Sequence, residues 1–261
     1  MKLEIILSVM NLNIEDLDKK NIKSKCTVIN QCGKNDFKQY KNFNIYSYDE
    51  IGAANSRNRG LEHITEDIIL LCDDDMIYEK DYEETVLEEF KNNPKADMII
   101  FNAYSPNRKK IPVKKNKRLH FYNSLHYGTC NIAFRKNSLK NIRFNNMFGP
   151  NGTYKNAGGD DTLFIVSFLK NKLKIYSCKK YIGTVYHESS TWYKKDNEKF
   201  FYDKGALFTA INKNIRHLLI LQYLLRHKEV LENITFKKAL KLMLEGSKNY
   251  LKTLEGVKWK I

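Results

Sequence analysis

One short run constrains this chain more than any other: Ile68-Ile69-Leu70-Leu71-Cys72 stops at Asp73-Asp74-Asp75. An apolar run of that length, bounded by polar residues, reads as a buried strand. Ending in acid, it delivers carboxylates to the carboxyl edge of a sheet, where open α/β folds bind their ligands. Three adjacent carboxylates repel one another, so the arrangement is costly unless a cation or hydrogen-bond donors answer it. Hard oxygen ligands with no Cys/His cluster beside them suit Mg²⁺ or Mn²⁺. The plainer alternative is a solvated acidic turn, and the rest of the chain has to decide between them.

Apolar runs of strand length alternate with helical periodicity through the first hundred residues. Strands are expected at 3–9, 26–30, 44–48, 68–72 and 97–102, with helices at 14–20, 53–64 and 82–92. That order implies an α/β fold with a mainly parallel central sheet flanked by helices. Residues 103–117 are basic and contain Pro106 and Pro112, which marks a loop. A mixed stretch at 129–134 and a short helix at 136–141 follow. The Gly- and Asn-rich stretch 149–159 reads as a mobile loop, a helix is expected at 160–169, and strands at 175–178 and 184–187. Beyond residue 200 the pattern becomes purely helical, at 206–226 and 236–254. The expected organisation is a catalytic domain over 1–195, with a nucleotide-sugar half at 1–102 and an acceptor half at 103–195. A helical appendage covers 196–261.

Hydrophobic residues make up 42% of the 261, and 16 Tyr and 14 Phe rule out a disordered chain. The formal charge of +15 points to anionic partners: nucleic acid, an anionic membrane, or phosphate-bearing substrates. The five cysteines are odd in number and form no Cys-x-x-Cys, as expected for reduced thiols of a cytoplasmic protein. Met1-Lys2-Leu3-Glu4-Ile5 reads as the first strand rather than a signal peptide, and no run approaches the ~18 apolar residues of a membrane span.

Three further segments carry chemistry. Gly52-Ala53-Ala54-Asn55-Ser56-Arg57 opens a helix whose small N-terminus lets backbone N–H groups approach an anion, and Arg57 can add a charge-assisted contact to phosphate. Gly158-Gly159-Asp160-Asp161 places two carboxylates at a helix start beside a flexible turn. There they can cap the helix or act as a general base toward an alcohol. His187 follows an apolar strand, and a neutral imidazole there can complete a cation's ligand set.

Taken in order, Ser8-Val9-Met10-Asn11, Ser56-Arg57-Asn58-x-Gly60-Leu61, Asp73-x-Asp75, Gly159-Asp160-Asp161 and His187 resemble the family 2 glycosyltransferases. These are inverting enzymes of the GT-A fold, the nucleotide-diphospho-sugar transferase fold, of the bacterial cell-surface polysaccharide type. The resemblance covers roughly residues 1–195 at the level of motifs. It implies that Ser8 and Asn11 lie over the nucleotide, that Arg57, Asp73 and Asp74 contact the nucleotide sugar, and that Asp75 and His187 hold Mn²⁺ or Mg²⁺. It implies that Asp161 is the catalytic base, paired with Asp160 where the family has a longer glutamate. The family's aspartate after the second strand is replaced here, where the chain reads Ile29-Asn30-Gln31-Cys32. The Gln-x-x-Arg-Trp motif of processive synthases is absent, which favours addition of a single sugar.

The expected reaction moves one sugar from a nucleotide-diphosphate sugar, by expectation a UDP-sugar, to the hydroxyl of a saccharide or lipid-linked saccharide. Capsule, exopolysaccharide or glycolipid synthesis is the fitting context. The basic, leucine-rich C-terminal helices fit peripheral contact with the inner face of the cell membrane, or packing on another subunit as a homo-oligomer. Two rivals are weaker. A nucleotidyltransferase acting on sugar phosphates needs a Gly-rich phosphate loop after the first strand, and Asn11-Leu12-Asn13-Ile14-Glu15-Asp16 is not one. A basic nucleic-acid-binding protein would set its acidic clusters against phosphates, so no nucleic-acid partner is expected.

Overall fold

The computed structural model of the chain describes residues 1–106, 112–125, 127, 130–186 and 198–258. The chain divides into two compact units, one made of Met1–Phe144 and Phe164–Ser189, the other of Asn145–Leu163 and Ser190–Ile261.

The first unit is an α/β layer structure. In chain order its elements begin with β1 (Leu3–Met10), α1 (Glu15–Asp18), β2 (Lys25–Gln31), β3 (Asp36–Tyr40), β4 (Phe43–Tyr48) and α2 (Ala53–His63). There follow β5 (Ile68–Asp73), β6 (Met76–Tyr78), α3 (Tyr82–Asn92), β7 (Met98–Tyr104), β8 (Lys117–Leu119), β9 (Ile132–Arg135) and α4 (Lys136–Leu139). Helix α5 (Asp160–Lys170) starts in the second unit, and β10 (Ile175–Val185) completes the first. The strands form one sheet in the order β3-β4-β2-β1-β5-β9-β7-β10-β6, with β8 paired to β10. Strands β4, β2, β1 and β5 run parallel to one another, and so do β7 and β10. Strands β3, β9, β6 and β8 run against their neighbours.

Strands β1, β2, β5 and β7 are buried on both faces, as strands covered by helices must be, while β4 alternates buried and half-buried residues. Ile5, Leu7, Val28, Leu70 and Phe101 join one core; Ile6, Ile69, Leu71, Phe134 and Phe164 join the core on the other face. Strands β3, β6 and β8 escaped the sequence reading. β3 is a mostly exposed antiparallel edge, with no apolar alternation to reveal it. β6 spans three residues and is held by pairing to β10. The segments expected as separate strands at 175–178 and 184–187 form one strand through Val185, bent by register shifts after Ser177 and Tyr181.

The second unit is helical. It holds the start of α5 and α6 (Glu198–Ile211), α7 (Arg216–Arg226) and α8 (Phe236–Lys258). The single helix expected at 206–226 is broken. Asn212-Lys213-Asn214 separates α6 from α7, and the Asn212 side chain accepts the Asn214 N–H at 3.0 Å, so local side-chain bonding replaces the helical ladder. Ala239, Met243, Gly246, Ser247 and Tyr250 form the buried face of α8.

Candidate active site

The carboxyl edge of β4-β2-β1-β5 gathers Ser8 and Asn11, Asn30 and Gln31, Ser47, and Asp73. Register sets Ser8 opposite Asp73 and Asn30 opposite Ser47. The Ser8 hydroxyl is buried and has no hydrogen-bond partner among the described residues, a group that gains from a bound ligand. Asn11 turns the chain through a left-handed conformation (φ 49°) and donates its N–H to the Gln31 carbonyl at 3.2 Å. The Asn30 side chain accepts the Leu12 N–H at 2.9 Å and donates to Ser47 Oγ at 3.3 Å. At the position where the family carries an aspartate, the chain therefore has an amide already bound to its own backbone and a neighbouring hydroxyl. A cleft of ≈ 290 Å³ opens beside these residues, lined by Asn11, Asn30, Cys32, Lys34 and Ser47 among others.

Helix α2 gives each residue of its motif a separate task. Gly52 leads it in, and its N–H donates to Gln31 Oε1 at 2.6 Å, which ties the helix start to β2. Arg57 is buried, and its guanidinium pairs with Asp73 Oδ1 at 2.9 Å while its face lies 5.5 Å from the Phe144 ring. Asn58 grips Phe144 through both its backbone N–H (2.8 Å) and carbonyl (2.9 Å). A Cβ at Gly60 would lie 2.4 Å from Ile6 Cγ2, so only glycine lets the helix approach β1 this closely.

The acidic turn after β5 is tightly held. The Lys20 ammonium, buried at the end of α1, donates to the Asp74 carbonyl, and the Asp75 carbonyl accepts the Tyr186 N–H at 2.8 Å. Burial, then the neighbouring Asp73, pushes the Asp74 carboxyl up. Burial, then Asp73 and Asp74, pushes Asp75 up to about 6. A carboxylate so disfavoured in its charged form is relieved by a cation. Among the described residues no three His, Cys, Asp or Glu side chains form a complete metal cage. Mg²⁺-type sites commonly take one or two carboxylates and draw their remaining ligands from substrate phosphates and water, and Asp75 with its neighbours fits that donor set.

Lys20 carried no mark in the sequence, because a lone lysine at a helix end looks like any solvated charge. Asp160 is buried and Asp161 half-buried in the first turn of α5, in the second unit, where the helix dipole favours acids. Ser8, Asn11, Arg57 and Asp73–Asp75 share one edge of the first unit. His187 lies outside the described residues.

Residues 30–149 match the model of the glycosyl transferase family 2, a span that includes Arg57 and the three aspartates. No curated protein sequence matches the chain. Residues 1–349 of S. aureus TarS, crystallised with UDP-GlcNAc, superpose with a TM-score of 0.62 at 14% identity, covering 88% of this chain and 73% of that one. A further crystal structure of S. aureus TarS is matched over 45% of its chain at a TM-score of 0.59 and 16% identity, covering 91% of this chain. The mannosyltransferase PcManGT from Pyrobaculum calidifontis, in complex with GDP-Man and Mn²⁺, gives 0.53 at 13% identity, covering 98% of this chain and 80% of that one. Residues 30–149, which hold Arg57 and the three aspartates, are thus similar to the glycosyl transferase family 2, and the fold is similar to those of these glycosyltransferases.

Proposed function

We propose that the chain is a metal-dependent, inverting transferase that moves one sugar from a UDP-sugar to a hydroxyl acceptor. The observation that carries this reading is the acidic turn itself. Asp73 is paired with Arg57 and stands opposite Ser8, whose hydroxyl has no partner among the described residues, and Asp75 is pushed up to about 6. Such an edge accepts a diphosphate arriving with its cation. The solved structures of similar fold that hold UDP-GlcNAc, UDP and GDP-Man support a nucleotide-sugar donor.

Asp75 and His187 would hold Mn²⁺ or Mg²⁺, with Asp74 beside them. A bound divalent cation supplies charge stabilisation to the departing diphosphate. Arg57 pairs with Asp73 and fixes it toward the nucleotide. Asp161, with Asp160 beside it, takes the proton of the acceptor hydroxyl as that oxygen attacks the face of the anomeric carbon opposite the leaving group. The anomeric configuration inverts, and the nucleoside diphosphate leaves.

Capsule, exopolysaccharide or glycolipid assembly at the inner face of the membrane suits the second unit. Leu218, Leu221 and Leu225 are exposed at helical spacing on α7, and Leu244 lies exposed on α8 in a groove with Lys237, Lys241 and Lys248. Exposed leucine beside lysine favours an anionic lipid surface. Among the described residues no helix is long and apolar enough to cross a membrane, so contact would be peripheral.

Thermal shift with UDP-GlcNAc and GDP-Man, each with and without Mn²⁺, tests the core claim. A metal-dependent rise with one donor, lost in Asp75→Ala, is expected. A donor shift that ignores Mn²⁺ and survives Asp75→Ala would remove the metal from the reading.

A further inference from the structure

We propose that Asp203 on α6 is a positioning residue that holds the turn carrying Asp160 and Asp161. The inference rests on the assignment of Asp161 as base and goes beyond it. Asp203 is wholly buried in the middle of a helix. A carboxylate there is costly unless its oxygens are used. Oδ2 accepts two hydrogen bonds from one residue, Asn156 N–H at 3.0 Å and Asn156 Nδ2 at 2.7 Å. Lys199 Nζ, one turn away, lies 3.0 Å from Oδ1 and neutralises the charge without hydrogen-bond geometry.

Asn156 sits in the short 3-10 helix Lys155–Ala157, four residues before Asp160. Two more contacts from α6 reach the same turn. Lys204 Nζ donates to the Ala157 carbonyl at 3.5 Å, and a Cβ at Gly159 would lie 2.6 Å from the Leu207 side chain. Gly159 itself is left-handed (φ 95°) and accepts the Leu163 N–H at 2.9 Å, so the turn passes straight into α5. A stretch rich in Gly and Asn has little stiffness of its own. Here three side chains of α6, Asp203, Lys204 and Leu207, spread over little more than one turn, hold it. An apolar side chain at 203 would pack the helix as well, since buried charges seldom add net stability. The carboxylate is therefore explained by what it grips rather than by what it contributes to folding.

The test compares Asp203→Leu, Asp203→Asn, Asn156→Ala and Asp161→Asn in the full chain, by amide hydrogen exchange and by turnover of the donor that gives the thermal shift. Loss of the carboxylate grip should speed exchange over residues 154–161 by about tenfold, with α6 and α8 amides unchanged. Asp203→Leu should keep or raise the melting temperature, lower kcat and leave KM for the donor unchanged. Asp203→Asn, which keeps one acceptor oxygen, should recover part of both effects, and Asn156→Ala should reproduce the loss if the leucine variant does not fold. Unchanged exchange at 154–161, or a uniform rise across all helices, overturns the proposal. Full turnover in Asp161→Asn with local exchange still raised in Asp203→Leu would reject the base and leave the clamp standing.

Discussion

At Arg57 a single side chain answers two demands: it neutralises Asp73 and covers the Phe144 ring. Its pair partner is about one third exposed, so Arg57→Ala should cost about 2 kcal/mol, below the value for a fully buried pair. Arg57→Lys keeps the charge but loses the planar fork, and should recover stability better than nucleotide binding. Urea melts and UDP titration of the two variants check both statements. Lys204 makes the opposite case. Burial pulls its ammonium down to about 8, and around it are the rings of Phe200, Phe208 and Tyr223 at 5.5–5.9 Å. Among the described residues no carboxylate forms an ion pair with it. A base whose folded pKa is depressed binds fewer protons folded than unfolded between about 8 and the ordinary lysine value. Stability should therefore rise as pH climbs through that window. Lys204→Met should remove the rise and add about 1–2 kcal/mol at pH 7, the loss of the cation–ring contacts offsetting part of the gain. A flat pH profile for the wild type would show the ammonium to be solvated.

Among the elements, α6 and α8 approach each other backbone to backbone. A Cβ at Gly205 would lie 1.9 Å from the Met243 carbonyl, and one at Gly246 the same distance from the Tyr202 carbonyl. Thr209 Oγ1 and Ser247 Oγ hydrogen-bond at 2.7 Å in the same crossing. Neither clash can be relieved by turning a side chain, because the obstacle is main chain. Gly205→Ala and Gly246→Ala should each cost about 3 kcal/mol despite alanine's better helix propensity. Calorimetry that found either substitution neutral would mean that the helices can slide apart. Helix edges were legible where composition punctuates them. Asn93-Pro94 stops α3 where expected, and Gly52 opens α2. The break between α6 and α7 was not, because leucine and isoleucine recur on both sides of Asn212 and mask the loss of phase. Strand β3 was not legible either: its five residues are mostly exposed and pair only along an edge, so no burial pattern marks them.

At the scale of the whole molecule, the leucine–lysine surface of α7 and α8 sets a further expectation. Vesicles containing anionic lipid should bind the chain, neutral vesicles should not, and added salt should weaken binding. Replacing Leu218, Leu221 and Leu225 by serine should lower binding about tenfold or more in co-sedimentation, since each buried leucine contributes transfer energy. Equal binding of the triple variant would assign the surface to a protein partner.

The sheet's central strands, the acidic turn and the Arg-Asn-x-Gly helix could be read from residue order alone. Apolar run length and the spacing of chemical groups are local properties, written where the residues stand. What lay beyond reach depends on neighbours distant in the chain. Glu4 interrupts the first apolar run and looks like a surface residue, yet it is wholly buried. It accepts bonds from Thr27 Oγ1 at 2.8 Å, Thr65 N–H at 2.7 Å and Glu66 N–H at 3.0 Å. Lys20 reaches the Asp74 carbonyl across 54 positions, and Asp203 reaches Asn156 across 47. A charge is read as solvated until folding brings it a partner. The sequence alone therefore determined which residues could do the chemistry, and only the tertiary structure decided which buried charges hold them in place.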